Sequence, residues 1–85
     1  MIDHKLLADP TEIAAGFFFM ALEALRQTDL DGCLEVAHRL DIQATRQTSK
    51  AHTNAFLRAA DAARQMAISK DPKALERWKK TRHVR

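Results

Sequence analysis

The chain has 85 residues, of which 14 are Lys or Arg and 11 are Asp or Glu, so its net charge is +3. An apolar content of 46% is too high for a disordered tail, and the length allows one domain at most. A single Cys excludes a disulfide framework and a Cys-based zinc site, and two Gly with two Pro argue against a sandwich, a barrel or a Gly-rich phosphate loop. The composition therefore predicts a small all-α protein, a bundle of three or four helices.

No segment predicts a membrane span or a signal peptide. The longest apolar run covers residues 13–22, about half of the ~20 residues that a bilayer-spanning helix needs. The first residues contain no long apolar stretch of the kind found in secretory signals. We therefore expect a cytoplasmic protein without membrane contacts.

The first helix has a clear start signal. Residues 1–9 are expected to form a lead-in, followed by a single helical domain over residues 10–81. Asp9-Pro10-Thr11-Glu12 combines an N-cap residue, Pro at the first helical position and Glu at the third. These residues predict a helix from Pro10 to about Gln27, which residues 28–32 end.

Three consecutive aromatic rings, Phe17, Phe18 and Phe19, lie in this first helix. Successive helical residues are about 100° apart, so the rings spread over about 200° and one buried face cannot hold them all. Either the helix is central and is touched on two sides, or one ring forms part of an interface with Met20 or Leu22. Phe17, Phe18, Phe19 and Met20 are thus candidate interface residues.

The middle of the chain contains a seam of small or apolar residues with an average spacing close to the α-helical period. It predicts either one long central helix over about 30–69 or a hairpin of two helices broken near 47–49. A 40-residue helix would span about 60 Å, more than the first helix covers, and would require an oligomer. Self-association is expected in either case, because small domains without disulfides or metals often need it. The seam consists of Cys33, Ala37, Leu40, Ala44, Thr48, Ala51, Ala55, Ala59, Ala62 and Met66, of which Ala44, Ala51, Ala55 and Ala59 are candidate interface positions.

Residues 34–45 resemble the first half of a helix-turn-helix DNA-binding motif. Ala37, Leu40, Asp41 and Ile42 occupy the places of the crossing Ala, the Leu one turn later, the turn residue and the aliphatic after it. The resemblance implies that four polar residues face the major groove, since Arg and Gln suit base edges. They are Gln43, Arg46, Gln47 and Lys50. The alternative is a plain amphipathic helix.

The basic residues are concentrated at the C-terminal end. Residues 70–85 contain seven Lys or Arg and two acidic residues, a net charge of +5, which leaves residues 1–69 with −2. Asp71-Pro72 repeats the start signal of the first helix and predicts a last helix from Pro72 to about Thr81, followed by a frayed tail over 82–85. Leu75 and Trp78 share one face of this helix and are expected to dock on the bundle.

A second face of the last helix is predicted to form a cationic ridge of Lys73, Arg77, Lys80 and His83. Such a ridge binds phosphate backbones without reading sequence, or it is a solvated face whose charges suit the helix dipole. The candidate nucleic-acid-binding residues are Lys73, Arg77, Lys79, Lys80, Arg82 and Arg85.

Residues with catalytic or metal-binding spacing are not evident. None of the four His has a His, Asp or Glu partner at i,i+4, and Cys33 lies on the apolar seam, where a buried thiol is expected. We therefore expect no enzymatic activity, no metal and no cofactor.

The sequence predicts a small helical accessory or regulatory protein, in the style of bacterial, plasmid or phage proteins. It would self-associate and contact nucleic-acid backbone through its basic last helix. The alternative is a protein-binding inhibitor or adaptor that uses the Phe17–Met20 region and the Ala-rich seam. A helix-turn-helix regulator over residues 34–50 is a second alternative.

Overall fold

The computed structural model describes residues 9–84, and the side chains of residues 9–81. Within residues 9–84 the chain forms four α-helices and no strand, which confirms the predicted all-α bundle. Residues 1–8 of the predicted lead-in over 1–9, and the terminal Arg85, lie outside the described residues. The helices are α1 (Pro10–Arg26), α2 (Leu30–Thr45), α3 (Lys50–Lys70) and α4 (Ala74–Val84).

Helix α1 begins at Pro10, as its start signal predicts. Pro suits this position because its fixed φ is helical and the first N–H has no partner in the helix. Asp9 occupies the N-cap, but its side chain accepts no hydrogen bond from the helix. Its Oδ1 instead lies 3.8 Å from Nε2 of His52, near the start of α3.

The α1–α2 turn is a Schellman motif. The Thr28 N–H donates to the Leu25 carbonyl at 2.9 Å, and the Asp29 N–H donates to the Ala24 carbonyl at 2.8 Å. Asp29 then caps α2, because its Oδ1 accepts from the Gly32 N–H at 2.9 Å. A Cβ at position 32 would lie 2.3 Å from the Asp29 Oδ2, so Gly leaves room for the capping carboxylate.

Of the two alternatives for the middle of the chain, the hairpin is confirmed and the single long helix over residues 30–69 is wrong. The chain leaves α2 after Thr45 and enters α3 at Lys50, so this stretch is a hairpin. Local hydrogen bonds stabilise the break: Gln47 Nε2 donates to the Gln43 carbonyl at 2.9 Å, and the Ser49 hydroxyl accepts from the His52 N–H at 3.5 Å. The hairpin lets the apolar faces of α2 and α3 cover each other within one chain.

The helix-turn-helix resemblance predicts a turn at Asp41, and this prediction is wrong. Asp41 and Ile42 lie inside α2, which continues to Thr45. Neither residue is a strong helix breaker, and Asp41 forms an ion pair with Arg64 of α3 that suits a helical position.

The core consists mainly of Ala. Small side chains at the helix contacts allow the backbones to approach closely. The largest side chains that are fully buried belong to Phe56, Leu34 and Leu40. The buried core residues are Ala14, Ala21, Cys33, Leu34, Val36, Ala37, Leu40, Ala44, Phe56, Ala60, Ala63, Ala67 and Ala74.

The predicted seam is right in α2 and shifted in α3. Cys33, Ala37, Leu40 and Ala44 are all buried. In α3 the buried residues are Phe56, Ala60, Ala63 and Ala67, each one position beyond the predicted Ala55, Ala59, Ala62 and Met66. The shift arises because the spacing was continued through residues 46–49, which are not helical.

Helix α4 starts two residues later than predicted. Pro72 and Lys73 form a turn, in which the Asp71 carboxylate accepts from the Lys73 N–H at 3.0 Å and the Asp71 carbonyl accepts from the Ala74 N–H at 2.9 Å. Leu75 and Trp78 pack against the core, as expected. Contacts with α2 and α3 hold α4 at the end of the hairpin.

Candidate binding surfaces

The predicted cationic ridge is present on the solvent side of α4. Lys73, Arg77 and Lys80 are exposed and line, together with Glu76, one shallow hollow of about 210 Å³. We use the name cationic ridge for these three basic residues. The side chain of His83, which the sequence assigns to the ridge, and those of the candidate nucleic-acid-binding residues Arg82 and Arg85 lie outside the described part of the chain.

Two acidic residues lie beside the ridge and reduce its charge: Glu76, which lines the same hollow, and Asp71. Arg77 Nη1 donates to Asp71 Oδ2 at 3.0 Å. The pKa of the Asp71 carboxyl is lowered, first by the hydrogen bond from the Lys73 N–H and then by the one from the Arg77 guanidinium. Among the described side chains, no ion pair joins Lys73 or Lys80 to a carboxylate, so these two lysines carry the ridge's unpaired charge.

Lys79 lies apart from the ridge, beside a groove where α2, α3 and α4 meet. This Trp78 groove has a volume of about 300 Å³. The His38 and Trp78 rings are in contact in it, with centroids 5.6 Å apart and planes tilted by 59°. The groove is lined by Leu34, His38, Asp41, Arg64, Leu75, Trp78 and Lys79.

An ion pair between α2 and α3 forms the polar wall of the groove. Arg64 Nη1 donates to Asp41 Oδ2 at 2.6 Å, and Arg64 Nη2 lies 4.0 Å from Asp61 Oδ1. The sequence did not indicate this pair, since the partners are 23 residues apart and only the hairpin brings them together. No local signal in the sequence connects them.

Helix α1 exposes large apolar side chains. Phe19 is 67% exposed, Met20 56% and Ile13 39%, and we call these three residues the α1 apolar surface. Ile13 and Met20, seven residues apart, lie on one line along the helix, whereas Phe19 lies about 100° away from Met20. Phe17 and Phe18 are half-buried, and Phe17 packs against the core. Of the four predicted interface residues on α1, Phe19 and Met20 are therefore the most accessible.

The predicted interface alanines have different environments. Ala44 is only 3% exposed, inside the core of the chain itself. Ala55 and Ala59 are half-buried, and Ala51 is exposed. The structure therefore does not bring these four residues together on one open face.

The four residues of the helix-turn-helix hypothesis collect around the α2–α3 turn. Arg46 is the exposed C-cap of α2, and Lys50 is the exposed first residue of α3. Gln43 and Gln47 are half-buried, and the side-chain amide of Gln47 donates a hydrogen bond to the Gln43 backbone carbonyl. This end of α3 lies about 30 Å along the helix from the end that leads into α4.

Cys33 is fully buried, as the seam predicts. Its Sγ lies 3.4 Å from the Ala63 carbonyl, and burial raises the pKa of the thiol, which disfavours the nucleophilic thiolate form. In the described part of the chain, no three or more His, Cys, Asp or Glu side chains are arranged to hold a metal ion. Residues 9–84 also contain no helix with the length and hydrophobicity that crossing a membrane requires.

No protein-family model matches the chain, and no curated protein or solved structure shows significant similarity to it. The function is therefore argued from the three surfaces described above: the cationic ridge, the Trp78 groove and the α1 apolar surface.

Proposed function

We propose that this protein is a non-enzymatic helical accessory protein that self-associates through the α1 apolar surface and contacts nucleic-acid backbone through the cationic ridge. The observation that carries the proposal is the placement of three exposed basic residues side by side, Lys73 in the turn before α4 and Arg77 and Lys80 on the exposed face of α4. This face belongs to the segment 70–85, which has a net charge of +5.

The docking of α4 supports this assignment. Leu75 and Trp78 attach one face of the helix to the core, so the opposite face is directed to solvent. Lysines on such a face bind phosphates mainly by releasing condensed counterions, which gives salt-dependent and largely sequence-independent affinity. The ridge offers backbone binding and no base readout.

A charge-removal experiment tests the ridge. We expect the double variant Lys73→Gln/Lys80→Gln to bind a short nucleic acid more weakly than the unaltered protein. The slope of log affinity against log salt should fall by about one for each lysine removed. Fluorescence anisotropy of a labelled strand, measured over a series of salt concentrations, gives both quantities.

Lys50→Gln is the control for each ridge lysine changed singly, because it removes one positive charge from an exposed site at the far end of α3. It should leave affinity and salt slope nearly unchanged. If Lys50→Gln weakens binding and the ridge variant does not, the nucleic acid contacts the α2–α3 turn, and the assignment of binding to the cationic ridge is wrong. If the unaltered protein binds no nucleic acid at low salt, the nucleic-acid function is wrong.

The second candidate is a protein-binding inhibitor or adaptor. The exposure of Phe19 and Met20 favours it, since large exposed apolar side chains often mark binding surfaces. In that case the α1 apolar surface contacts another protein rather than a second copy of this chain.

A further inference from the structure

We propose that the Trp78 groove receives an unpaired base, so that the nucleic acid is single-stranded. The inference rests on the proposed function and names its substrate class. It is carried by the juxtaposition of the Trp78 ring, the exposed Lys79 and a groove of a size that suits one base.

The size and lining of the groove suit one planar ring. Its volume of about 300 Å³ is at the lower end of the range for small-ligand pockets, about 300–1,000 Å³. Leu34 and Leu75 provide apolar contacts, and the half-buried Trp78 contributes its indole to the same lining. A base enclosed there would exchange water for apolar and aromatic surface.

The indole can act as a stacking platform. Bases of single strands stack on aromatic side chains, and this contact tolerates any sequence because every base has a π-face. The His38 ring contacts the indole, and the packing of Trp78 against the core limits its movement. A ring that is already positioned loses little conformational freedom when a base binds.

The charges around the groove favour a phosphate next to the bound base. Asp41 is neutralised by Arg64 at 2.6 Å, whereas the exposed Lys79 forms no ion pair among the described side chains. Lys79 lies about 100° around α4 from Lys80 of the cationic ridge, so a strand that bends around the helix can contact both lysines. The Asp41–Arg64 pair also presents an acceptor and donors to the edge of a base.

A duplex does not fit this arrangement, because its bases are stacked on each other and paired. Opening a pair and removing a base from the stack costs a few kcal/mol. The groove therefore predicts that the protein prefers single strands to duplexes. The cationic ridge by itself predicts no such preference.

The test compares three probes of equal length: a single strand, the same sugar-phosphate strand without bases, and the duplex. Trp78 is the only Trp, so its emission reports directly on the groove. We expect the single strand to change Trp78 emission and to bind about tenfold more tightly than the abasic strand. A tenfold difference in affinity lies within the range that one base–aromatic stack contributes. The duplex should bind with an affinity close to that of the abasic strand and leave the emission nearly unchanged.

Trp78→Leu removes the stacking surface and retains an apolar side chain against the core. It should lower the affinity for the single strand to that for the abasic strand and leave the latter unchanged. Lys79→Gln should weaken binding of both strands. Circular dichroism checks that the variants are folded, and the comparison of probes with the unaltered protein decides the question if Trp78→Leu does not fold.

Two results overturn the inference in distinguishable ways. If the single strand and the abasic strand bind equally and Trp78 emission does not respond, the groove takes no base, while backbone binding at the ridge stands. If none of the three probes binds at low salt, the proposed function fails and this inference fails with it.

Discussion

Thr28 has the least favourable backbone conformation in the described part of the chain. It is the only non-Gly residue of that part with a positive φ, at 58°. It occupies the C′ position of the Schellman motif, where Gly is usual because a β-branched side chain crowds the left-handed backbone. The sequence predicts the end of the helix at residues 28–32, but it does not indicate the left-handed conformation of Thr28.

Replacing Thr28 by Gly should stabilise the fold. The left-handed strain of about 1–3 kcal/mol is relieved, and the greater freedom of Gly in the unfolded chain offsets part of the gain. We expect the free energy of unfolding to rise by about 1 kcal/mol in urea denaturation.

Gln27→Gly provides the control for Thr28→Gly. Gln27 has a φ of −91°, so Gly relieves no strain there and should lower the free energy of unfolding. If Thr28→Gly is destabilising as well, the left-handed position of Thr28 is not a source of strain.

Among the helices, α4 is attached by the fewest contacts, and Asp71 organises its junction with α3. The Asp71 carboxylate accepts from the Lys73 N–H and from Arg77 Nη1, both at 3.0 Å. These bonds lower the pKa of the carboxyl in the folded protein. The stability they contribute is therefore present above the carboxyl's ordinary pKa, and it is lost as pH falls through the lowered value.

Asp71→Asn tests this junction. The variant should be less stable than the unaltered protein at neutral pH, and the difference should shrink in acid, since the protonated carboxyl no longer pairs with Arg77. Thermal unfolding measured between neutral and strongly acidic pH follows both curves. A difference that does not change with pH would contradict the role of the ionised Asp71.

The same variant should tighten nucleic-acid binding, because Arg77 is released and the ridge gains one unit of positive charge. Glu23→Gln is the matched control: it changes the net charge equally, and Glu23 also has a lowered pKa from Arg26, but it lies on α1. Only Asp71→Asn should strengthen binding. Equal effects of the two variants would point to net charge rather than to the ridge.

The whole molecule is elongated, measuring 46 × 24 × 23 Å over the described residues, and the α2–α3 hairpin covers only one side of α1. Apolar side chains extend around most of α1, so Phe19 and Met20 remain in contact with water. A second copy of the chain would cover this surface and add to a core that consists largely of Ala.

We expect Phe19→Ser/Met20→Ser to reduce self-association. Sedimentation velocity should show an oligomer for the unaltered protein and a species close to 9.6 kDa for the variant. Leu57→Ser, at a residue of α3 that is 43% exposed, should leave the association unchanged. If the unaltered protein sediments as a monomer over the micromolar range, the proposal of self-association is wrong. The α1 apolar surface would then be expected to bind a different protein, as in the second candidate function.

The sequence by itself determined the features that depend on neighbouring residues. Three of them follow from caps and helical spacing within a few residues: the start of α1 at Pro10, the end of that helix before residues 28–32, and the docking of Leu75 and Trp78. The concentration of positive charge after Lys70 is likewise a property of composition.

The tertiary structure alone decided the break at residues 46–49, the buried face of α3, the Asp41–Arg64 pair and the Trp78 groove. A continuous helix and a hairpin have almost the same local signals, and they differ in whether α2 and α3 can cover each other's apolar faces. That free energy comes from contacts between residues far apart in the chain, such as Cys33 with Ala63 and Asp41 with Arg64. Spacing within one helix contains no information about such contacts, so only the folded chain shows which side chains share a site.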